Sequence, residues 1–159
     1  MASPTQTRHR SSALLDHLAR LVRLRAESAL APLGLRPRHL VALTVLRDYG
    51  SPTQQALGAA LQTDRTNLIG LLNELESDGL ILRRRSTEDR RRHFVELTRE
   101  GGKRLADAEA ALAAAEDEVL GALDAEQRET LYQLLAQATT SHVVDCATVA
   151  AEVLPSEAC

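Results

Sequence analysis

Apolar residues recur every three or four positions along most of the chain, the spacing of helices that bury one face. Leu14, Leu15, Leu18, Leu21, Val22, Ala26 and Ala29 form the first such stripe. Ser11 or Ser12 can cap it, and Pro32 with Gly34 ends it. A second helix starts with Pro37 in its first turn and runs through Leu40, Leu43 and Leu46 to Tyr49, where Gly50 stops it. Ser51-Pro52-Thr53-Gln54 reads as a capping box for a short third helix, about Pro52 to Leu61. Thr63-Asp64 offers caps for a fourth, which carries Leu68, Leu71, Leu72 and Leu75 and closes at Gly79. Two helices across so short a turn make a helix-turn-helix candidate.

The period then shortens. Leu80 to Arg85 and Arg92 to Leu97 read as two strands around the polar tip Ser86 to Arg91, with Val95 and Leu97 on one alternating face. Thr98 caps a long fifth helix with Leu105, Ala108, Leu112, Ala115, Val119 and Ala122 in its stripe. Asp124, with Gln127 three residues on, caps a sixth that carries Leu131, Leu134, Leu135 and Ala138. That helix is expected to continue through Val143 and Val149 until Pro155. The fold expected is mainly α with a small β-hairpin wing. It divides into an arm (1–11), a dimerisation helix (12–35), a winged helix-turn-helix lobe (36–98) compact enough to fold by itself, long dimerisation helices (99–154) and a tail (155–159). The first, fifth and sixth helices carry Leu/Ala stripes with no evident partner inside the chain. A second copy would cover them, so the chain reads as a homodimer through its terminal helices.

Composition narrows the classes. With one Phe, two Tyr and no Trp, the core must come from Leu, Ala and Val, which suits helices. The longest apolar run is Ala110 to Ala115, too short to cross a bilayer, and Asp16, His17 and Arg20 interrupt the first apolar stretch as they would not in a signal peptide. The Ser/Arg-rich start resembles a transit peptide only loosely, and a floppy arm is the simpler reading. Cys146 and Cys159 both lie late in the chain, which fits reduced thiols in the cytoplasm. The net charge of −3 hides an asymmetry, because residues 1–104 carry +7 and residues 105–159 carry −10. Such a division suggests that one part meets a polyanion and the other does not.

The chemistry sits in the basic part. Opposite the Leu68/71/72/75 stripe, the fourth helix presents Thr66, Gly70 and Asn73, flanked by Arg65, Asn67 and Ile69 and started by Asp64. A helix lying in a major groove needs hydrogen-bonding groups near its N-terminus and little bulk along its outer ridge, and Ile69 suits a thymine methyl. A solvated face behind an Asp cap would read the same way. The hairpin separates the two readings. Arg83, Arg84, Arg85, Arg90, Arg91 and Arg92 place six guanidiniums in ten residues, with only Glu88 and Asp89 against them. That concentration repels itself without a counter-anion, and it suits phosphates and narrow minor grooves.

Asp89-x-Arg91 followed by five residues and Leu97-Thr98 resembles the signature of the MarR-type winged helix-turn-helix regulators. Leu75-Glu76-x-x-Gly79-Leu80-Ile81 is similar to the exit of their recognition helix, and Leu97-Thr98-x-x-Gly101 to their wing-to-helix junction. The resemblance covers roughly residues 12–140. It implies a cytoplasmic, nucleoid-associated homodimer on a pseudo-palindromic double-stranded operator, usually as a repressor. By the same resemblance, residues 64–70 read the major groove, Arg91 with Arg90 enters the minor groove, and Asp89 orients the wing arginines. Many members have a basic residue where this chain has Gly70, so base preference does not carry over.

The family often senses small phenolic or carboxylate effectors between the dimerisation helices and the DNA-binding lobe. His17, Arg20, Arg23 and His39 would line that pocket here, although His39 with Arg36 and Arg38 also reads as a phosphate contact at a helix N-terminus, joining Arg83, Arg84, Arg85 and Arg92. Peroxide-sensing members use a Cys near the N-terminus and urate-sensing members a Trp in the first helix; neither stands at the corresponding place. His142 with Cys146 is a lone i,i+4 pair, short of a metal site. No catalytic constellation, cofactor motif or metal site is evident, so the expectation is a non-enzymatic regulator that binds no cofactor. The competing expectation is a winged-helix dimer that binds protein or sequesters a ligand and has no operator.

Overall fold

The computed structural model describes residues 10–139 except Arg90. Six helices and one antiparallel hairpin follow in the order α1 (Ser12–Leu30), α2 (Pro37–Tyr49), α3 (Gln54–Ala60), α4 (Arg65–Ser77), β1 (Ile81–Arg85), β2 (His93–Leu97), α5 (Arg99–Val119) and α6 (Ala125–Thr139). A 3-10 turn, Ala31–Leu33, leads out of α1, and Gly34 turns the chain in the left-handed region at φ 67°. Side-chain caps are where the sequence places them on α4, α5 and α6. Asp64 caps α4, Thr98 accepts the Gly101 N–H at 2.9 Å, and Asp124 exchanges hydrogen bonds with Gln127 at 2.9 and 3.0 Å.

One cap differs from expectation. Helix α3 is capped by Thr53, whose Oγ1 accepts the Ala56 N–H at 3.1 Å, and not by Ser51. Residues 52 and 53 are drawn into the hairpin instead: Val95 N–H donates to Pro52 O at 3.0 Å and Thr53 bridges Phe94. With Pro52 O given to the strand, the first intrahelical bond falls to Thr53 O, which accepts the Leu57 N–H at 2.9 Å. In the hairpin itself Ile81 lies opposite Leu97 and Arg85 opposite His93, each strand one residue shorter than its polar pattern suggests.

A single core joins these elements. Leu43 and Leu46 of α2, Leu57 of α3, Leu72 and Leu75 of α4, Ile81, Val95 and Leu105 are all essentially inaccessible, and burying each is worth roughly 1.5–3 kcal/mol. Leu30, Leu35, Leu105 and Ala108 belong to the same cluster, so the core runs across the boundaries expected at residues 36 and 98. The lobe therefore shares its interior with α1 and α5. Likewise α1 and α5 pack on each other within the chain, where no internal partner was expected, with Arg25 and Glu118 pairing at 3.7 Å. Much of the α1 and α6 stripes stays uncovered. Leu14, Leu15, Leu21, Val22 and Leu24 on α1 and Tyr132, Leu134 and Leu135 on α6 are exposed, and no described residue of α6 is buried. No helix among the described residues is long and apolar enough to cross a membrane. The expected continuation of α6, and with it His142, Cys146 and Cys159, lies outside the described residues.

Candidate nucleic-acid interface

Helix α4 holds its inner face by Leu68, Leu71, Leu72 and Leu75 and leaves Arg65, Thr66, Asn67, Gly70 and Asn73 exposed, with Ile69 half-buried. Gly70 is informative because nothing inside the molecule calls for it. No heavy atom lies within 4 Å of where its Cβ would sit, and a glycine inside a helix costs about 1 kcal/mol relative to alanine. Gly58, across the turn in α3, is different: a Cβ there would stand 2.9 Å from Leu68 Cδ2, so its smallness lets α3 and α4 cross closely. The turn between them passes through Gln62 at φ 48°, the described non-glycine residue with positive φ.

Asp64 is fully engaged by its own helix. Its Oδ1 accepts the N–H groups of Thr66 and Asn67 at 2.8 and 3.0 Å, and its Oδ2 takes the Asn67 side-chain amide. The Asn67 backbone N–H above all holds this carboxyl below its ordinary value. Asp64 thus orients Asn67.

Between α3, the turn, the start of α4 and the wing runs a cleft of about 680 Å³. Arg65 enters it from the helix and Arg91 and Arg92 from the wing, with Gln54, Gln55 and Gln62 along the remaining wall. Arg65, Arg85, Arg91 and Arg92 form no ion pair among the described residues. The wing turn is built by short polar links. Ser86 Oγ accepts the N–H groups of Glu88 and Asp89, both at 3.2 Å, and Ser86 N–H donates to Arg92 O at 2.9 Å. Asp89 Oδ1 accepts the Arg91 backbone N–H at 2.9 Å. Asp89 therefore bears on Arg91 through the main chain that carries it. Arg90 lies outside the described residues.

The structure reassigns several of the expected cations. His39 is buried, 4% exposed, at the N-terminus of α2. Its Nδ1 accepts the Arg36 N–H at 3.2 Å, which leaves the proton on Nε2, and Nε2–H donates to Glu74 Oε2 at 2.7 Å. Arg38 donates to both oxygens of the same carboxylate at 2.7 and 2.8 Å. The His39 hydrogen bond, and then Arg38, hold the Glu74 carboxyl below the usual range. These two residues fasten α2 to α4, so neither the phosphate contact nor the pocket-lining role expected of His39 fits its position, and Arg38 is likewise committed. Arg36 remains exposed. Arg83 is held by Glu76, with Nε to Oε2 at 2.9 Å and its backbone N–H to Oε1 at 3.2 Å, and it donates from Nη2 to Asn73 Oδ1 at 2.8 Å. Arg83 lowers the Glu76 carboxyl in turn. Arg84 pairs with Glu96 at 3.1 Å but stays largely exposed.

Of the remaining pocket candidates, His17, Arg20 and Arg23 lie exposed on α1, and Arg20 pairs with Asp16 at 3.3 Å. They do not meet His39, whose ring faces Glu74. Glu74, Glu76 and Gln62 are the site residues that the sequence pattern passed over. The one local signal was the seven-residue spacing from Glu76 to Arg83 around Gly79.

Residues 35–93 match the MarR family. A putative transcriptional regulatory protein for the hcr operon of Thauera aromatica is 33% identical over 102 residues, a match covering 64% of this chain and 61% of that protein's length. The chain thus spans less than two thirds of that relative. The fold is similar to a MarR-family transcriptional regulator from Rhodococcus sp. RHA1, with a TM-score of 0.66 and 25% identity over 87% of this chain and all of the other. It is also similar, in fold alone, to a mutant of S. aureus MepR bound to an oligodeoxyribonucleotide, with a TM-score of 0.65 and 24% identity over 84% of this chain and 98% of the other.

Proposed function

The chain belongs to the MarR family of winged helix-turn-helix regulators, and from that premise we propose that it binds a pseudo-palindromic operator as a homodimer and represses transcription. One observation carries this reading: a cleft between reader helix and wing into which Arg65, Arg91 and Arg92 project without ion pairs among the described residues. Three uncompensated guanidiniums around one groove suit a phosphate backbone, which supplies most of the sequence-independent affinity for DNA. Gly70 supports the reading, since its missing side chain clears the outer ridge for close approach. The likeness to a MepR mutant bound to DNA supports it also.

In this arrangement Thr66 and Asn67 approach base edges, Ile69 meets a thymine methyl, and Arg91 with Arg90 reaches a minor groove narrowed by A·T-rich sequence. Arg36, Arg84, Arg85 and Arg92 face phosphates. The exposed apolar residues of α1 and α6 meet their counterparts in a second copy. A small phenolic or carboxylate effector, if it relieves repression, binds on the α1 side, where His17, Arg20 and Arg23 stand exposed.

The test is a salt titration on specific and scrambled duplexes. Arg91→Ala should weaken binding to both and reduce the slope of log affinity against log salt by about 0.9 per subunit, about twice that for a dimer. Asn67→Ala should instead cost about 1–3 kcal/mol on the specific site alone. An unchanged slope and unchanged scrambled-duplex affinity for Arg91→Ala would remove the wing from the interface. Wild-type protein that binds no duplex would favour a protein- or ligand-binding dimer instead.

A further inference from the structure

The reader helix carries two asparagines whose side-chain amides are fixed in opposite senses by their neighbours. Asn67 gives an N–H to Asp64 Oδ2. A carboxylate only accepts, so the nitrogen must face it, and Asn67 keeps its oxygen and one N–H for an outside partner. Asn73 lies seven residues beyond Thr66, on the same ridge and about 10 Å further along the axis. Its Oδ1 accepts from Arg83 Nη2 at 2.8 Å. A guanidinium only donates, so the oxygen must face it, and the exposed end of Asn73 is its NH₂ group. Arg83 is not free to turn away, because Glu76 holds its Nε at 2.9 Å and its backbone N–H at 3.2 Å. No acceptor among the described residues takes the Asn73 N–H groups.

We propose that Asn73 is a donor-only reader of base identity, and that Arg83 and Glu76 are the positioning residues that set its polarity. This rests on the DNA-binding reading above. In the major groove adenine shows an acceptor beside a donor, which matches what Asn67 keeps. Guanine shows two acceptors and thymine one, which match an NH₂ group alone. The position facing Asn73 therefore takes guanine or thymine and disfavours adenine and cytosine, whose exocyclic amines would meet another donor. The wing acts here on sequence preference without touching a base, by deciding which end of an amide faces the groove.

The experiment is selection of bound duplexes from a random pool, with full-length wild type, Asn73→Ala, Asn73→Asp and Arg83→Ala, each checked by thermal melting. Wild type should enrich guanine or thymine at one symmetric pair of positions, and Asn73→Ala should lose that preference, with the specific-to-scrambled affinity ratio falling about fivefold or more. Asn73→Asp keeps an oxygen for Arg83 and turns the donor into an acceptor, so the same pair should move to cytosine or adenine. Arg83→Ala frees the amide to rotate and should admit adenine there. An unaltered selection for both Asn73 variants overturns the proposal while leaving DNA binding intact. So does an equal loss by Asn73→Asp on specific and scrambled duplexes, which is general charge repulsion. A wild type that enriches no sequence overturns the DNA-binding reading, and this inference with it.

Discussion

A methyl group added at Gly101 should break the joint between the wing and the long helix. Gly101 sits in the first turn of α5, and a Cβ there would lie 2.0 Å from Leu80 O and 2.8 Å from Leu97 Cδ1. A carbon and a carbonyl oxygen approach to about 3.3 Å at closest, so the first turn must withdraw by more than about 1 Å. Two hydrogen bonds span that joint: Thr98 N–H to Leu80 O at 3.0 Å and Thr98 Oγ1 to Gly79 O at 2.7 Å. Losing both costs about 2 kcal/mol. Repacking around the intruding methyl adds about 1–3 kcal/mol. Better helix propensity returns about 1 kcal/mol, leaving Gly101→Ala destabilised by about 2–4 kcal/mol. At fixed protein concentration this is a fall in Tm of roughly 5–15 °C. Gly102 supplies the control, because a Cβ there meets only Leu97 Cδ2 at 3.9 Å. Gly102→Ala should be neutral or stabilised by up to about 1 kcal/mol. Urea or thermal unfolding of the two variants side by side decides the matter. Equal stability would show that the close approach to Leu80 does not constrain the chain.

Gly70→Ala should raise stability by about 1 kcal/mol yet weaken duplex binding, since only an outside partner comes near that ridge; unchanged DNA affinity would refute the close approach. Glu74 and Glu76 both titrate below their ordinary values, so their contribution is complete above the usual carboxylate range and is lost as pH falls through the lowered values. Wild type should therefore lose Tm in acid more steeply than Glu74→Gln/Glu76→Gln, and parallel curves would count against the two clamps. Leu134, 59% exposed, packs on little of its own chain. Leu134→Asp should lower dimer affinity in light scattering with little effect on the fold of the subunit, and an undiminished dimer would place the interface elsewhere. Leu72→Ala, in the sealed core, should instead cost about 2–5 kcal/mol in unfolding.

Where the controlling interactions are local, reading and structure agree closely. The caps at Asp64, Thr98 and Asp124 each bond within three residues, and the Leu68/71/72/75 stripe needs only helical spacing to show its inner face. The Ser51 cap misled because the competing partner, β2, lies some forty residues away in sequence. The charge run is sorted only by the fold, for a related reason. Six arginines in a hairpin look alike in sequence, but Glu76 holds Arg83, Arg84 pairs with Glu96 while staying largely exposed, and Arg85, Arg91 and Arg92 have no ion-pair partner among the described residues.

Periodicity, capping residues and turn glycines thus sufficed for the order of helices and strands and for the face of α4 that turns outward, because each depends on neighbours a few residues apart. Tertiary packing alone selected which cations face the cleft and which hold the scaffold together. Arg38 and His39 look as available as Arg65 until the fold brings Glu74, some 35 residues on, within 2.7 Å of them. Packing also set the amide orientation of Asn73 and divided the apolar stripes between α1, α5 and the uncovered surface. A hydrogen bond between distant residues depends on where the whole chain has already gone, and no short window of sequence carries that information.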